Sequence, residues 1–92
     1  FEKELRNLLI YKKALFSSNF VSESKLLETT QPLLKEDTLW KPHALLLLGD
    51  YFISKGQNIK AIEFYQQILS IKNLQQTFYD QAKAQLLTIS NE

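Results

Sequence analysis

Two glycines and two prolines among 92 residues constrain this chain more than any other feature. Strands joined by tight turns need glycine and proline at many corners, so a chain this poor in both is expected to consist of helices linked by a few short loops. An all-β sandwich is nearly excluded. The length suits one small globular domain and is too short for two, because burial per residue falls with size. With 45% hydrophobic residues, the apolar surface suffices for one compact core.

The apolar spacing divides the chain into five helical segments. Residues 1–16 carry Phe1, Leu5, Leu8, Leu9, Leu15 and Phe16 in steps of three and four, with Glu2 four before Arg6 as a helix pair. That spacing predicts a first helix that begins upstream of this segment. Ser17, Ser18 and Asn19 break the pattern, and Ser22 is placed to cap a second helix by accepting from its first-turn amides. The second helix carries Leu26, Leu27, Thr30, Leu33 and Leu34 on one stripe. Pro32 inside it removes a hydrogen bond and predicts a kink or an early stop near Gln31. Lys35, Glu36, Asp37 and Thr38 then form a polar connector.

Trp40, Lys41 and Pro42 open a third helix over about 42–55, with proline in the first turn where its missing donor matters least. Ala44, Leu45, Leu46, Leu47, Leu48, Tyr51, Phe52 and Ile53 make it apolar around most of its circumference, so it is expected to touch neighbours on several sides. Gly56 sits where a left-handed C-terminal cap is wanted, and Asn58 is the expected N-cap of the next helix. The link predicts a tight helix-turn-helix with antiparallel arms. The fourth helix, about 59–71, turns Ala61, Ile62, Tyr65, Ile68 and Leu69 inward. Asn73, three residues before Gln76, resembles a weak capping box ahead of a fifth helix striped with Leu74, Phe78, Ala82, Leu86 and Ile89. Its other side, Gln75, Gln76, Asp80, Gln81, Lys83 and Gln85, is the polar exterior expected of an element that closes a stack.

Lys+Arg 11 against Asp+Glu 10 leaves a formal charge of +1, with no electrostatic footprint that calls for nucleic acid or an anionic membrane surface. Without cysteine and with a single histidine, thiol chemistry is absent and zinc would lack its three or four donors. His43 therefore reads as an ordinary helix-start histidine. Asp50 and Glu63, on adjacent helices, lack the pocket and substrate partner that general acid–base work needs, so both read as solvated charge. No phosphate loop, nucleophile elbow or calcium loop is present, and neither an enzyme activity nor a cofactor or metal is expected. The longest apolar run, from Ala44 to Leu48, is too short to span a bilayer, and no direct membrane contact is expected from this segment. The missing initiator methionine predicts a segment of a longer protein, with any anchor lying outside it.

Leu45, Leu48-Gly49 and Phe52, followed by Ala61 and Tyr65, resemble the tetratricopeptide repeat signature at its own spacing. Physically, Gly49 and Ala61 let two helices approach closely, while Leu45, Leu48, Phe52 and Tyr65 fill the layer around them. Ile68 departs from the pattern where the repeat prefers a small residue, and Asn73 stands where it prefers proline. The resemblance implies an all-α, single tetratricopeptide-like domain over 1–92, made of antiparallel helical hairpins. Residues 1–35 form a degenerate first hairpin, 40–72 the best-matching repeat and 73–90 a capping helix. The run from Trp40 through Leu48-Gly49-Asp50, Ser54-Lys55-Gly56 and Ala61 to the final helix is also similar to the C-terminal part of the ancillary Sec translocon subunit family. That similarity implies a bacterial, membrane-anchored protein with its soluble domain on the periplasmic face of the inner membrane. Its partners there would be the Sec translocon or periplasmic chaperones.

In tetratricopeptide arrays the first helix of each hairpin lines the concave face, so the resemblance nominates His43, Leu46, Leu47, Asp50, Ile53 and Ser54 as a protein-binding groove. Mostly apolar, this set fits an apolar or amphipathic helical ligand; the bland alternative is that Leu46 and Ile53 pack on an earlier helix. Trp40 reads first as a packing residue and second as a recognition anchor. The functional expectation is a non-enzymatic protein–protein adaptor, with a structural homodimerisation domain as the alternative.

Overall fold

In the computed structural model, which describes residues 2–35 and 39–90, five helices and no strands are present among the described residues. Phe1 of the first predicted helix and Glu36, Asp37 and Thr38 of the predicted connector lie outside those residues. The helices are α1 (Glu2–Ser17), α2 (Glu23–Leu34), α3 (Lys41–Ser54), α4 (Asn58–Leu69) and α5 (Gln76–Ser90). The chain divides into two compact units, Phe1–Ala44 and Leu45–Glu92.

In the first unit α1 packs on α2. Ser22 caps α2 as expected: its backbone is extended, at φ −70° and ψ 163°, and its Oγ accepts from the Lys25 amide at 3.2 Å. Leu26, Thr30 and Leu33 are buried along one side of α2, and Thr30 satisfies its hydroxyl by donating to the carbonyls of Leu26 and Leu27 at 3.0 and 3.2 Å. The expected stop near Gln31 does not occur. α2 runs through Pro32 to Leu34, since proline removes only the amide that would have bonded the Glu28 carbonyl, and the next residue, Leu33, is fully buried and holds the last turn.

The first helix is present as expected, and its buried side is not its leucine row. Asn7 and Ala14, two turns apart, are its buried residues, whereas Leu5, Leu9, Leu15 and Phe16 are exposed. Small side chains on the packed side permit close helix approach, and the larger apolar residues are left on other faces.

In the second unit α4 packs on α5, and Leu45, Leu48, Phe52, Ala61, Tyr65, Ile68 and Ala82 form the buried apolar core. Phe52 stacks parallel to Phe64, with centroids 5.5 Å apart, and the Lys60 ammonium lies 5.4 Å from the centre of the Phe52 ring. Gly56 takes φ +73°, the left-handed conformation expected of it. Its amide bonds the Ile53 carbonyl at 3.0 Å, and the Gln57 amide bonds the Phe52 carbonyl at 2.8 Å, which is the paired closure of a Schellman motif.

That closure moves the start of α4. Gln57, not Asn58, is the N-cap, without a side-chain cap bond, and Asn58 is already helical because the turn that ends α3 is spent by Gln57. The predicted capping box at Asn73 is likewise absent: Asn73 sits in a turn at φ 58°, a conformation asparagine tolerates, and α5 starts at Gln76. Gln76 instead donates its Nε2 to Asp80 Oδ1 at 2.8 Å, one turn along α5. No helix among the described residues is long and apolar enough to cross a membrane.

Candidate functional site

On α3 the sequence places a glycine where a bulky side chain of α4 comes against the helix. A Cβ placed on Gly49 would lie 2.6 Å from Cε1 and 2.7 Å from Cζ of Tyr65, well inside van der Waals contact. The fully buried Tyr65 ring therefore rests directly on the Gly49 backbone. Its hydroxyl donates to Asp50 Oδ1. The same carboxylate oxygen accepts from Gln85 Nε2 at 3.3 Å, and Gln85 also reaches the Tyr65 hydroxyl at 3.5 Å, so one polar cluster ties α3, α4 and α5 together. Burial pushes the Tyr65 phenol above its ordinary value of 10.0, and Asp50 raises it further through the hydrogen bond and its negative charge. At neutral pH this phenol stays protonated and acts as a fixed donor.

The residues singled out for repeat packing, Leu45, Leu48, Gly49, Phe52, Ala61 and Tyr65, are all buried. Asp50 is exposed as a residue, yet its carboxylate is engaged by Tyr65 and Gln85 and does not stand alone as a solvated charge. Glu63, weighed as its acid–base companion, is exposed, and the Asp50 carboxylate accepts from Tyr65 and Gln85. The role of Gln85 was not legible: a glutamine on the polar face of an amphipathic helix carries no periodicity that would single it out.

Of the nominated groove residues, Leu46, Leu47 and Ile53 are half-buried in the second unit. Ser54 is exposed and donates its Oγ to the Tyr51 carbonyl at 2.6 Å, a bond internal to the last turn of α3. His43 belongs to the first unit. There Trp40 stacks on Tyr11 with centroids 5.5 Å apart, and His43 packs against both, 4.9 Å from Trp40 and 5.5 Å from Tyr11. Trp40 is thus half-buried in an aromatic cluster, and burial lowers the His43 pKa from its ordinary 6.5.

No family model matches the chain, and neither does any curated protein or solved structure. Among the described residues no group of three or more His, Cys, Asp or Glu side chains could hold a metal ion. What the first unit does present is a row of large exposed apolar side chains on α1, with the exposed Lys12 among them. Leu5, Leu9 and Phe16 recur at steps of four and seven on one side of α1, opposite the buried Asn7 and Ala14, and are 51%, 59% and 82% exposed. Phe20, in the turn that follows, is 86% exposed.

Proposed function

We propose that this chain is a non-enzymatic protein–protein interaction module that takes an apolar or amphipathic helical segment of a partner. The observation that carries this reading is the row of exposed Leu5, Leu9 and Phe16 on one side of α1, with Lys12 among them, a mixture suited to an amphipathic segment. Large apolar side chains aligned on one helix face gain free energy when a partner removes them from water, whereas singly scattered ones need no partner. A partner helix with anchors at matching steps would seat on such a face. The half-buried Leu46, Leu47 and Ile53 of α3 offer the second surface, where a tetratricopeptide-like arrangement of hairpins would place a groove. The mechanism is reversible association without chemistry. The periplasmic face of a bacterial inner membrane, with the Sec translocon or its chaperones as partners, is the setting we propose on the resemblance of residues 40 onward.

The test is site-specific photocrosslinking in cells of the full protein, with the reactive group placed in turn at Leu9, Ile53 and the exposed Glu63. Adducts with a translocon or chaperone protein at Leu9 and Ile53, and none at Glu63, are expected. Adducts of the chain with itself alone would replace the adaptor reading by a homodimer. Equal labelling from all three positions would overturn a defined binding face.

A further inference from the structure

The exposed side of α1 has a spacing as well as a composition. Glu2, Leu5, Leu9, Lys12 and Phe16 follow one another at steps of three, four, three and four, and all five are exposed. That alternation is the seam of a coiled coil, in which a second helix packs its side chains between those of the first. At 1.5 Å of rise per residue it runs for roughly 21 Å along the helix. The buried Asn7 and Ala14 fall directly opposite it, so the side that packs α1 within its own unit and the seam do not compete.

The charges beside the seam are mostly of one sign. Lys12 stands within the row, between Leu9 and Phe16, and Arg6 and Lys13 each follow a seam residue and line one edge; all three are exposed. Glu2 is the acid of the row, at its amino-terminal end. The other edge carries Leu15, 49% exposed. In coiled coils the edge charges choose the partner, and a charged residue inside the seam fixes the register. A lipid surface suits this face less well, because Lys12 would enter the apolar layer together with Leu9 and Phe16. Charge also disfavours a second copy. In a parallel pair Lys12 would meet the same lysine of the copy, and in an antiparallel pair the Arg6–Lys13 edge would meet its own counterpart.

We propose that the α1 seam pairs with an acidic amphipathic helix of a partner protein. Apolar residues of that helix pack among Leu5, Leu9 and Phe16, one carboxylate faces Lys12, and others lie along the edge formed by Arg6 and Lys13. The inference rests on the interaction-module reading and names the chemistry of the partner. Because α1 is already held as a helix against α2, only the partner segment has to order on binding. Exposed charge pairs are individually weak, so the basic edge acts chiefly by rejecting partners of the wrong sign.

The experiment is fluorescence anisotropy of the full chain with labelled three-heptad helical peptides at nanomolar concentration. The peptides share a leucine seam and differ only in its flanking residues, which are all glutamate, all glutamine or all lysine. Saturable binding of the glutamate peptide is expected, about tenfold weaker for the glutamine peptide, absent for the lysine peptide, and weakening as salt is raised. Leu9→Ala, an exposed position, should lower glutamate-peptide affinity about tenfold with unchanged helicity by circular dichroism. Changing Arg6, Lys12 and Lys13 together to glutamate should invert the order of the peptides, and the milder Lys12→Gln should lower glutamate-peptide affinity about threefold. Equal affinity for the three peptides, or no binding of any, would overturn the proposal. So would tighter binding to phosphatidylglycerol vesicles than to the glutamate peptide, which would give the seam to a membrane surface. Partner adducts from Leu9 in cells together with a flat peptide series would remove the acidic helix and leave the module standing; no partner adduct at Leu9 would remove both.

Discussion

Replacing Gly49 by alanine tests the contact between the α3 backbone and the Tyr65 ring. In an ordinary helix interior that change stabilises by about 0.8–1 kcal/mol, because glycine has more backbone freedom to lose. Here the new Cβ would lie 2.6 Å from the Tyr65 ring, so the ring must move. It has little freedom to do so, being fully buried with its hydroxyl tied to Asp50. Overpacking of this kind costs about 1–3 kcal/mol. Displacing the hydroxyl adds the loss of a bond to a carboxylate, worth about 1.5–3 kcal/mol at most and less here because Asp50 is reached by solvent. Subtracting the helix-propensity gain leaves an expected net loss of about 2 kcal/mol, or a fall in Tm of roughly 8–16 °C for a domain of this size. Urea unfolding followed by far-ultraviolet circular dichroism measures it. The same change in a Tyr65→Leu background should turn neutral or stabilising, since the ring that the methyl strikes is gone. Gly49→Ala as stable as the parent in the Tyr65 background would refute the contact.

Tyr65→Phe keeps the ring on Gly49 and removes only the hydroxyl, so it should cost about 0.5–1.5 kcal/mol, and a change within measurement error would mean that water replaces the bond without loss. Because burial and Asp50 raise the folded-state phenol pKa above 10.0, its contribution is full below pH 10 and is lost as the pH climbs toward the folded value; Tyr65→Phe should flatten that alkaline decline. His43 behaves in the opposite sense: its folded pKa lies below 6.5, so its contribution is full above pH 6.5 and drains as the pH falls through the folded value. His43→Phe should remove that acid-side slope in denaturant midpoints taken across the range, and an unchanged slope would place its origin elsewhere.

Ser22 and Gly56 show what was readable in advance. Each acts through its own local chemistry, a hydroxyl acceptor and a missing Cβ, and each ended or began a helix where expected. The inward side of α4 was equally plain, because Ala61, Tyr65 and Ile68 recur at helical spacing among polar neighbours. On α1, periodicity gave the helix but not its packed side: leucines and phenylalanines occupy more than one face, and the buried residues are Asn7 and Ala14, which hydrophobicity does not mark. Asn58 and Asn73 failed for a related reason. Asparagine suits N-caps and left-handed turns alike, and only the hydrogen bonds of the preceding segment decide between them. In the candidate site, Gly49 and Tyr65 were legible as packing residues, whereas the bond from Tyr65 to Asp50 and the part of Gln85 depend on registers between separate helices.

The meeting of three helices at the Asp50 carboxylate also bears on how the second unit comes apart. Tyr65 from α4 and Gln85 from α5 converge on one oxygen of α3, so lifting any one helix strips a partner from both others. Backbone amides of α3 beyond Leu45, of α4 and of the middle of α5 should then exchange with deuterium at a common rate, as one cooperative opening unit.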